Sequence, residues 1–335
     1  MHTLSILLAL ALPLTLALNE PRILGGQAAL PGQYNATALV LVATSAKQTT
    51  VCGGTLISSR AVLTAAHCVQ SLLGDNYEPE QFTVGVGQLS SEGFNLTHPY
   101  FVDKTIAHPS YSADIVSNDI GLILLNSSVP ANVSTPMKII KGYDWGARLV
   151  ATGYGQTTNQ KGSLATQLMA VELRLGNVTH CKSLNPHWKQ DTQMCTDGTV
   201  GRDTCNADSG GPLMGQYNDA GDWGLVGVTS YGEEGKASSG GNMCGTEGGA
   251  GFYTYAAYYA DWIAQNAGLE RDKILVVNST TVHPNATLMA EASEGSTVLA
   301  VASESLTSAA AAGPASGIAA VVAAAVHIAM CLALA

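Results

Sequence analysis

The stretch Asp203-Thr204-Cys205-Asn206-Ala207-Asp208-Ser209-Gly210-Gly211-Pro212 sets a hydroxyl between a carboxylate and two glycines, shortly after a cysteine. Small residues around Ser209 let a carbonyl come close to the backbone, whose N–H groups can then meet developing negative charge. An acid-Ser-Gly-Gly string also makes an ordinary turn. Its reading therefore depends on whether the chain supplies a base and an acid to orient that base. Thr64-Ala65-Ala66-His67-Cys68 places a histidine after a short apolar run and ties it down with a cysteine. Asn118-Asp119-Ile120-Gly121-Leu122 places an acid at the mouth of a strongly apolar run. His2, His98, His108, His180, His187, His283 and His327 have no such setting and read as structural or exposed.

Taken in chain order, His67, Asp119 and Ser209 resemble the catalytic residues of the trypsin-like (chymotrypsin-fold) serine proteases. Cys52-Gly53-Gly54-Thr55-Leu56-Ile57, His108-Pro109-Ser110-Tyr111 and Gly153-Tyr154-Gly155 also look like stretches of that family, so the resemblance runs from about Ile23 to Gly268. It implies a serine endopeptidase in which Ser209 attacks the scissile carbonyl, His67 shuttles the proton and Asp119 fixes the imidazole tautomer. It implies an all-β fold of two six-stranded antiparallel β-barrels with a C-terminal helix, the site lying in the cleft between them. The cysteines alone leave their pairing open; the resemblance implies Cys52–Cys68, Cys181–Cys195 and Cys205–Cys244.

Asp203 matches the family position at the base of the specificity pocket, with Ser230, Gly232 and Gly251 matching its walls. A buried negative charge at the end of a slot selects Arg or Lys, which fill the slot and pair the charge. The expected partners are protein or peptide substrates with Arg or Lys before the scissile bond, and protein inhibitors of such enzymes. Arg22 followed by Ile23-Leu24-Gly25-Gly26 resembles the family's activation junction. Cleavage there creates an α-amino group at Ile23 that can pair with the Asp208 carboxylate, the mark of a zymogen.

Four departures from the family qualify this. Ala207 stands where glycine is usual, and its N–H, with that of Ser209, would form the oxyanion hole. Alanine loses roughly 1–2 kcal/mol in the φ > 0 conformations that glycine enters freely. The alternative function is therefore a catalytically weakened homologue that acts as a binding or inhibitory protein. Tyr231 replaces the usual tryptophan, and the segment Glu233 to Met243 is longer than in trypsins and rich in Gly and Ser. The calcium loop of trypsin is not recognisable after Val84, so neither a metal nor another cofactor is expected.

The rest of the chain sets the compartment. Of 335 residues, 15 are Lys or Arg and 25 Asp or Glu, a net charge of −10 without any basic run, which argues against nucleic acid. Leu4 to Leu18 is aliphatic and interrupted by Pro13, with Thr15-Leu16-Ala17 as a small-residue cleavage site. Residues 1–17 read as a signal peptide and 18–22 as a short activation propeptide. Asn35, Asn95, Asn126, Asn132, Asn177, Asn278 and Asn285 begin glycosylation sequons. Six cysteines in the middle of an exported chain read as three disulfides, leaving Cys331 in the apolar end.

Short β-branched runs at Thr37 to Thr44, Thr55 to Ile57, Ala61 to Thr64, Phe82 to Val86, Ile120 to Leu125, Arg148 to Thr152, Met169 to Leu175 and Gly224 to Thr229 predict strands. Helical spacing predicts one helix over Tyr255 to Ala267, stopped by Gly268. The protease domain then spans 23–268. Residues 269–317 read as a Ser/Thr/Ala-rich disordered stalk, and 318–335 as a hydrophobic tail. No Lys or Arg follows that tail, which favours a GPI signal with its site at Ser308-Ala309-Ala310 over a transmembrane anchor. The expected location is the secretory pathway, ending outside the cell or anchored at its surface.

Overall fold

Fifteen short strands, punctuated by glycine, proline and asparagine turns, build two lobes in the computed structural model. It describes residues 23–279 apart from 72–73, 93–95, 144–147, 161 and 236–243. The expected signal peptide, the propeptide with Arg22, the sequons at Asn95 and Asn285, and the hydrophobic tail with Cys331 lie outside the described residues. Among the described residues no helix is long and apolar enough to cross a membrane.

The strands are β1 (Gln27–Ala28), β2 (Thr37–Ser45), β3 (Gln48–Ser58), β4 (Ala61–Thr64), β5 (Phe82–Val86), β6 (Pro99–Ala107), β7 (Gly121–Leu125) and β8 (Ile139–Lys141). They continue as β9 (Leu149–Gly153), β10 (Met169–Leu173), β11 (Gln193–Cys195), β12 (Pro212–Gln216), β13 (Trp223–Glu233), β14 (Ala250–Tyr255) and β15 (Leu275–Val277). Four helices accompany them: α1 (Ala66–Val69), α2 (Val178–Leu184), α3 (Ala260–Ala267) and α4 (Arg271–Ile274).

In the first lobe, β2-β3-β4-β7-β6-β5 closes into the expected six-stranded antiparallel barrel. β4 and β7 read as continuous apolar runs because the barrel interior and neighbouring elements cover both their faces. Val40, Leu56, Leu63, Val84, Ile123 and Leu125 are buried in its core.

The second lobe carries nine strands rather than six, in the order β1-β10-β9-β12-β13-β14-β11, with β8 paired to β13 and β15. Those two extra pairings are parallel, the rest antiparallel. The predicted helix starts later than its spacing suggests: Ala256–Tyr259 is a 3-10 turn, α3 follows, and Gly268 ends it with φ 65°.

The chain does not leave the domain at Gly268, where its composition places the boundary. α4 buries Ile274, and β15 then lies along β8 with Leu275 opposite Ile139. Asn278 N–H donates to the Lys141 carbonyl at 3.0 Å. Residues 271–277 thus belong to the fold, not to a disordered stalk. A three-residue apolar run behind a charged helix carries too little periodicity to announce a strand.

Candidate active site

His67 sits on the single turn α1, which β4 delivers directly to the gap between the lobes. Asp119 lies two residues before the start of β7, the partner of β4 in register, so pairing of the two strands brings acid and base together. The imidazole Nδ1–H donates to Asp119 Oδ2 at 2.8 Å, and the His67 backbone N–H donates to Oδ1 at 3.1 Å. A carboxylate only accepts, so the ring proton sits on Nδ1 and Nε2 is left as the basic nitrogen.

Asp119 is completely buried. Burial alone would raise its carboxyl pKa, but the His67 charge and bond, the Ser230 hydroxyl and the His67 N–H outweigh that and hold it below the usual carboxylate value. For His67, burial opposes the imidazolium, and the Asp119 charge and hydrogen bond more than compensate, so its pKa is raised. Asn118, just before, adopts φ 53°, a left-handed conformation that asparagine tolerates. Its amide donates to the Ser110 carbonyl and its Oδ1 accepts from Tyr259 OH at 2.9 Å, locking the turn that presents Asp119.

Ser209 comes from the second lobe, at the entry to β12. Its carbonyl accepts from Gly53 N–H at 2.7 Å in the first lobe and lies 3.5 Å from Cys68 Sγ, beside His67. Gly210 has φ 82°, and a Cβ there would collide with Thr64 Oγ1 and the Gly53 carbonyl. A Cβ on Gly53 would in turn meet Gly211 Cα at 2.7 Å. The paired glycines of the two motifs thus let the lobes touch backbone to backbone, which brings the Ser209 main chain against Cys68, the neighbour of His67. Among the described residues no hydrogen bond joins the Ser209 hydroxyl to the imidazole. Such contacts are commonly loose without substrate.

Ala207 has φ 74°, so alanine adopts here the left-handed conformation that glycine would take. Asp208 is completely buried, its Oδ1 accepting from Gly155 N–H at 2.8 Å and its Oδ2 from Cys205 N–H at 2.9 Å. Burial pushes its pKa up to about 7 against those two bonds. Ile23 is wholly buried in the second-lobe core, and Asp203 N–H donates to the Leu24 carbonyl at 3.3 Å.

Asp203 lies behind Gly251, whose added Cβ would come within 2.6 Å of Oδ1. Oδ2 accepts from Gly245 N–H at 3.3 Å, while Oδ1 is buried without a hydrogen-bond partner. Burial pushes this carboxyl up to about 7, the Gly245 and Thr204 N–H groups work against the rise, and the Asp208 charge adds to it. Gly232 stands across β13 from Gly251, with no atom but the Ala250 carbonyl near a Cβ placed there.

Ser230, expected on the pocket wall, makes a contact that this expectation does not include. Its hydroxyl donates to Asp119 Oδ2 across the lobe interface, and Thr254 Oγ1 donates to the Asp119 carbonyl at 2.7 Å. Spacing along the chain gives no sign of either contact. The three disulfides are Cys52–Cys68, Cys181–Cys195 and Cys205–Cys244, the pairing that the resemblance implies. Of the described sequons, Asn126, Asn132 and Asn177 are exposed, and Asn35 and Asn278 are half-buried. Asn177 also caps α2 through its Oδ1.

This arrangement of base, acid and nucleophile across two β-lobes defines the serine endopeptidases of the chymotrypsin fold. A sequence model described as Trypsin matches residues 23–263, and the chain belongs to the trypsin family. It is similar to CLIP domain-containing serine protease B4 of Anopheles gambiae, 33% identical over 268 residues that cover 73% of this chain and 70% of that one. It is 32% identical to phenoloxidase-activating factor 3 of Holotrichia diomphalia over 272 residues, covering 74% and 73% of the two chains. Trypsin-1 of Astacus astacus is 31% identical over 224 residues, covering 64% of this chain and 87% of its own.

Proposed function

We propose that the protein is a secreted endopeptidase that cleaves after Arg or Lys through an acyl-enzyme formed on Ser209. The observation that carries the specificity is the buried Asp203 carboxylate, one oxygen of which has no partner. A lone buried charge is unfavourable, and a long side-chain cation entering the slot relieves it. His67 acts as the base, Asp119 holds its tautomer, and the Ala207 and Ser209 N–H groups stabilise the oxyanion.

The chain is made as a precursor. Cutting after Arg22 frees the Ile23 amine, which pairs with Asp208 and removes the second unpaired buried carboxylate. The signal peptide directs it to the secretory pathway, and the C-terminal tail anchors it at the cell surface. The φ of 74° at Ala207 argues against the weakened-homologue reading, because alanine in that conformation presents its N–H as glycine would.

The test is hydrolysis of matched Arg, Lys and Leu peptide amides by the chain starting at Ile23, with Ser209→Ala as control. The proposal expects turnover of the Arg and Lys substrates alone, abolished in the control. Equal rates on all three, or none with the parent, would reject it.

A further inference from the structure

Ala207 occupies a conformation that an L-residue with a Cβ enters only when its surroundings impose it. Gln156 and Asn159, in the neighbouring loop, reach the Asn206 side of this turn. Gln156 N–H donates to the Asn206 carbonyl at 2.9 Å, and Asn206 Nδ2 donates back to Gln156 Oε1 at 2.9 Å. Asn159 makes a second two-way contact: Cys244 N–H donates to its Oδ1 at 2.9 Å, and its Nδ2 donates to the Cys244 carbonyl at 3.3 Å. Cys244 is the disulfide partner of Cys205, so the loop grips the Asn206 side of the turn and the turn cross-linked to it. The loop is itself closed by Thr157 N–H and Oγ1, both donating to the Ser163 carbonyl at 2.8 Å.

The Asn206 carbonyl and the Ala207 N–H belong to one peptide plane, and in a trans peptide they point in opposite directions. Holding that carbonyl toward Gln156 therefore aims the Ala207 N–H away from the loop. Rotation of the plane would return Ala207 to an ordinary φ, but it would break the Gln156 bond and turn the oxyanion donor aside. A glycine at 207 would need no such restraint.

We propose that the Gln156 backbone N–H holds the 206–207 peptide in its oxyanion-binding orientation and compensates for alanine at 207, and that the Gln156 side chain, bonded to Asn206 Nδ2 and supported by Asn159, is the positioning group that keeps this N–H in place. The inference rests on the catalytic reading above. Its test is a double-mutant cycle between Gln156→Ala and Ala207→Gly, with kcat and KM measured on an Arg peptide amide. In the alanine parent, Gln156→Ala keeps the backbone N–H but removes its side-chain anchor to Asn206, and should lower kcat about tenfold, the worth of that net hydrogen bond, and leave KM within about twofold. In the Ala207→Gly background the same change should cost less than about twofold. Equal losses in both backgrounds, or none in the parent, would overturn the proposal.

A second readout needs no turnover. Ala207→Gly should raise Tm by about 2 °C when Gln156 is present, because strain is relieved, and by clearly less in Gln156→Ala. Equal gains would likewise overturn it. A chain that hydrolysed no Arg or Lys amide would reject the proposed function, while the Tm cycle would still decide the role of Gln156.

Discussion

Asp119 and Asp208 are both completely buried, yet their surroundings differ in kind. Asp119 is met by an imidazole, a serine hydroxyl and a backbone N–H, all supplied by the folded chain, and its carboxyl is held low. Asp208 is met, among the described residues, by two backbone N–H groups and no cation, and its carboxyl is pushed up to about 7. Asp203 shares the second condition, with one oxygen unbonded. Burying a charge without its counter-charge is tolerated where the counter-charge arrives later. The first lobe therefore holds a finished pair, and the second holds two buried acids for which the proposed function supplies the cations: a substrate side chain for Asp203 and the Ile23 amine for Asp208.

Breaking the finished pair should have the largest effect. Asp119→Asn keeps the shape but spoils the tautomer, and should lower kcat about 10⁴-fold in an amide-hydrolysis assay. A loss below tenfold would remove Asp119 from the mechanism. Next comes Asp203, which the proposed function sets at the pocket base. Asp203→Ser should reduce the preference for Arg over Leu amides by on the order of 10²–10⁴ in kcat/KM, as expected for removal of one partner of a buried pair. An unchanged preference would place the specificity elsewhere.

Ser230→Ala probes the part of the Asp119 shell that comes from the opposite lobe. Loss of a hydrogen bond to a charged group should lower kcat about 10- to 100-fold. Because Ser230 helps hold the Asp119 carboxyl low, the acid limb of the pH–rate profile should also move. A change in KM alone would contradict a role for Ser230 in holding Asp119.

The smallest effect concerns stability. In a precursor kept intact by Arg22→Gln, the folded Asp208 carboxyl titrates at about 7, well above its value of about 3.9 in an unfolded chain. The native state therefore binds more protons between those values, and stability should fall as pH rises from about 4 to about 7. Asp208→Asn should flatten that fall in urea titrations at a series of pH values, with Asp203 leaving a residual slope. The same slope in both proteins would mean that Asp208 is not the unpaired acid described.

The parts of this site that chemistry restricts to few residue types were legible in the sequence. A base, an orienting acid and a nucleophile between small residues leave His67, Asp119 and Ser209 readable from local context, and the cysteines flank two of them. Contacts made by common residues across long separations were not. Ser230, Gln156 and Asn159 look like ordinary loop or strand residues until folding brings them against Asp119, Asn206 and Cys244. Strands show the same division. β4, β5 and β7 stood out as apolar runs, while β6 alternates buried Tyr100 and Val102 with exposed Phe101 and Asp103, so its composition hid it. Ala207 was legible as an oddity, but only its φ told which way its N–H points.

The contrast between finished and waiting acids is tested most directly by the rate on one Arg peptide amide before and after the Arg22–Ile23 bond is cut. Pairing of the new amine with Asp208 should raise kcat/KM by about 10²–10³-fold, the worth of a properly held oxyanion donor. Equal rates on the two sides of the cut would contradict the account.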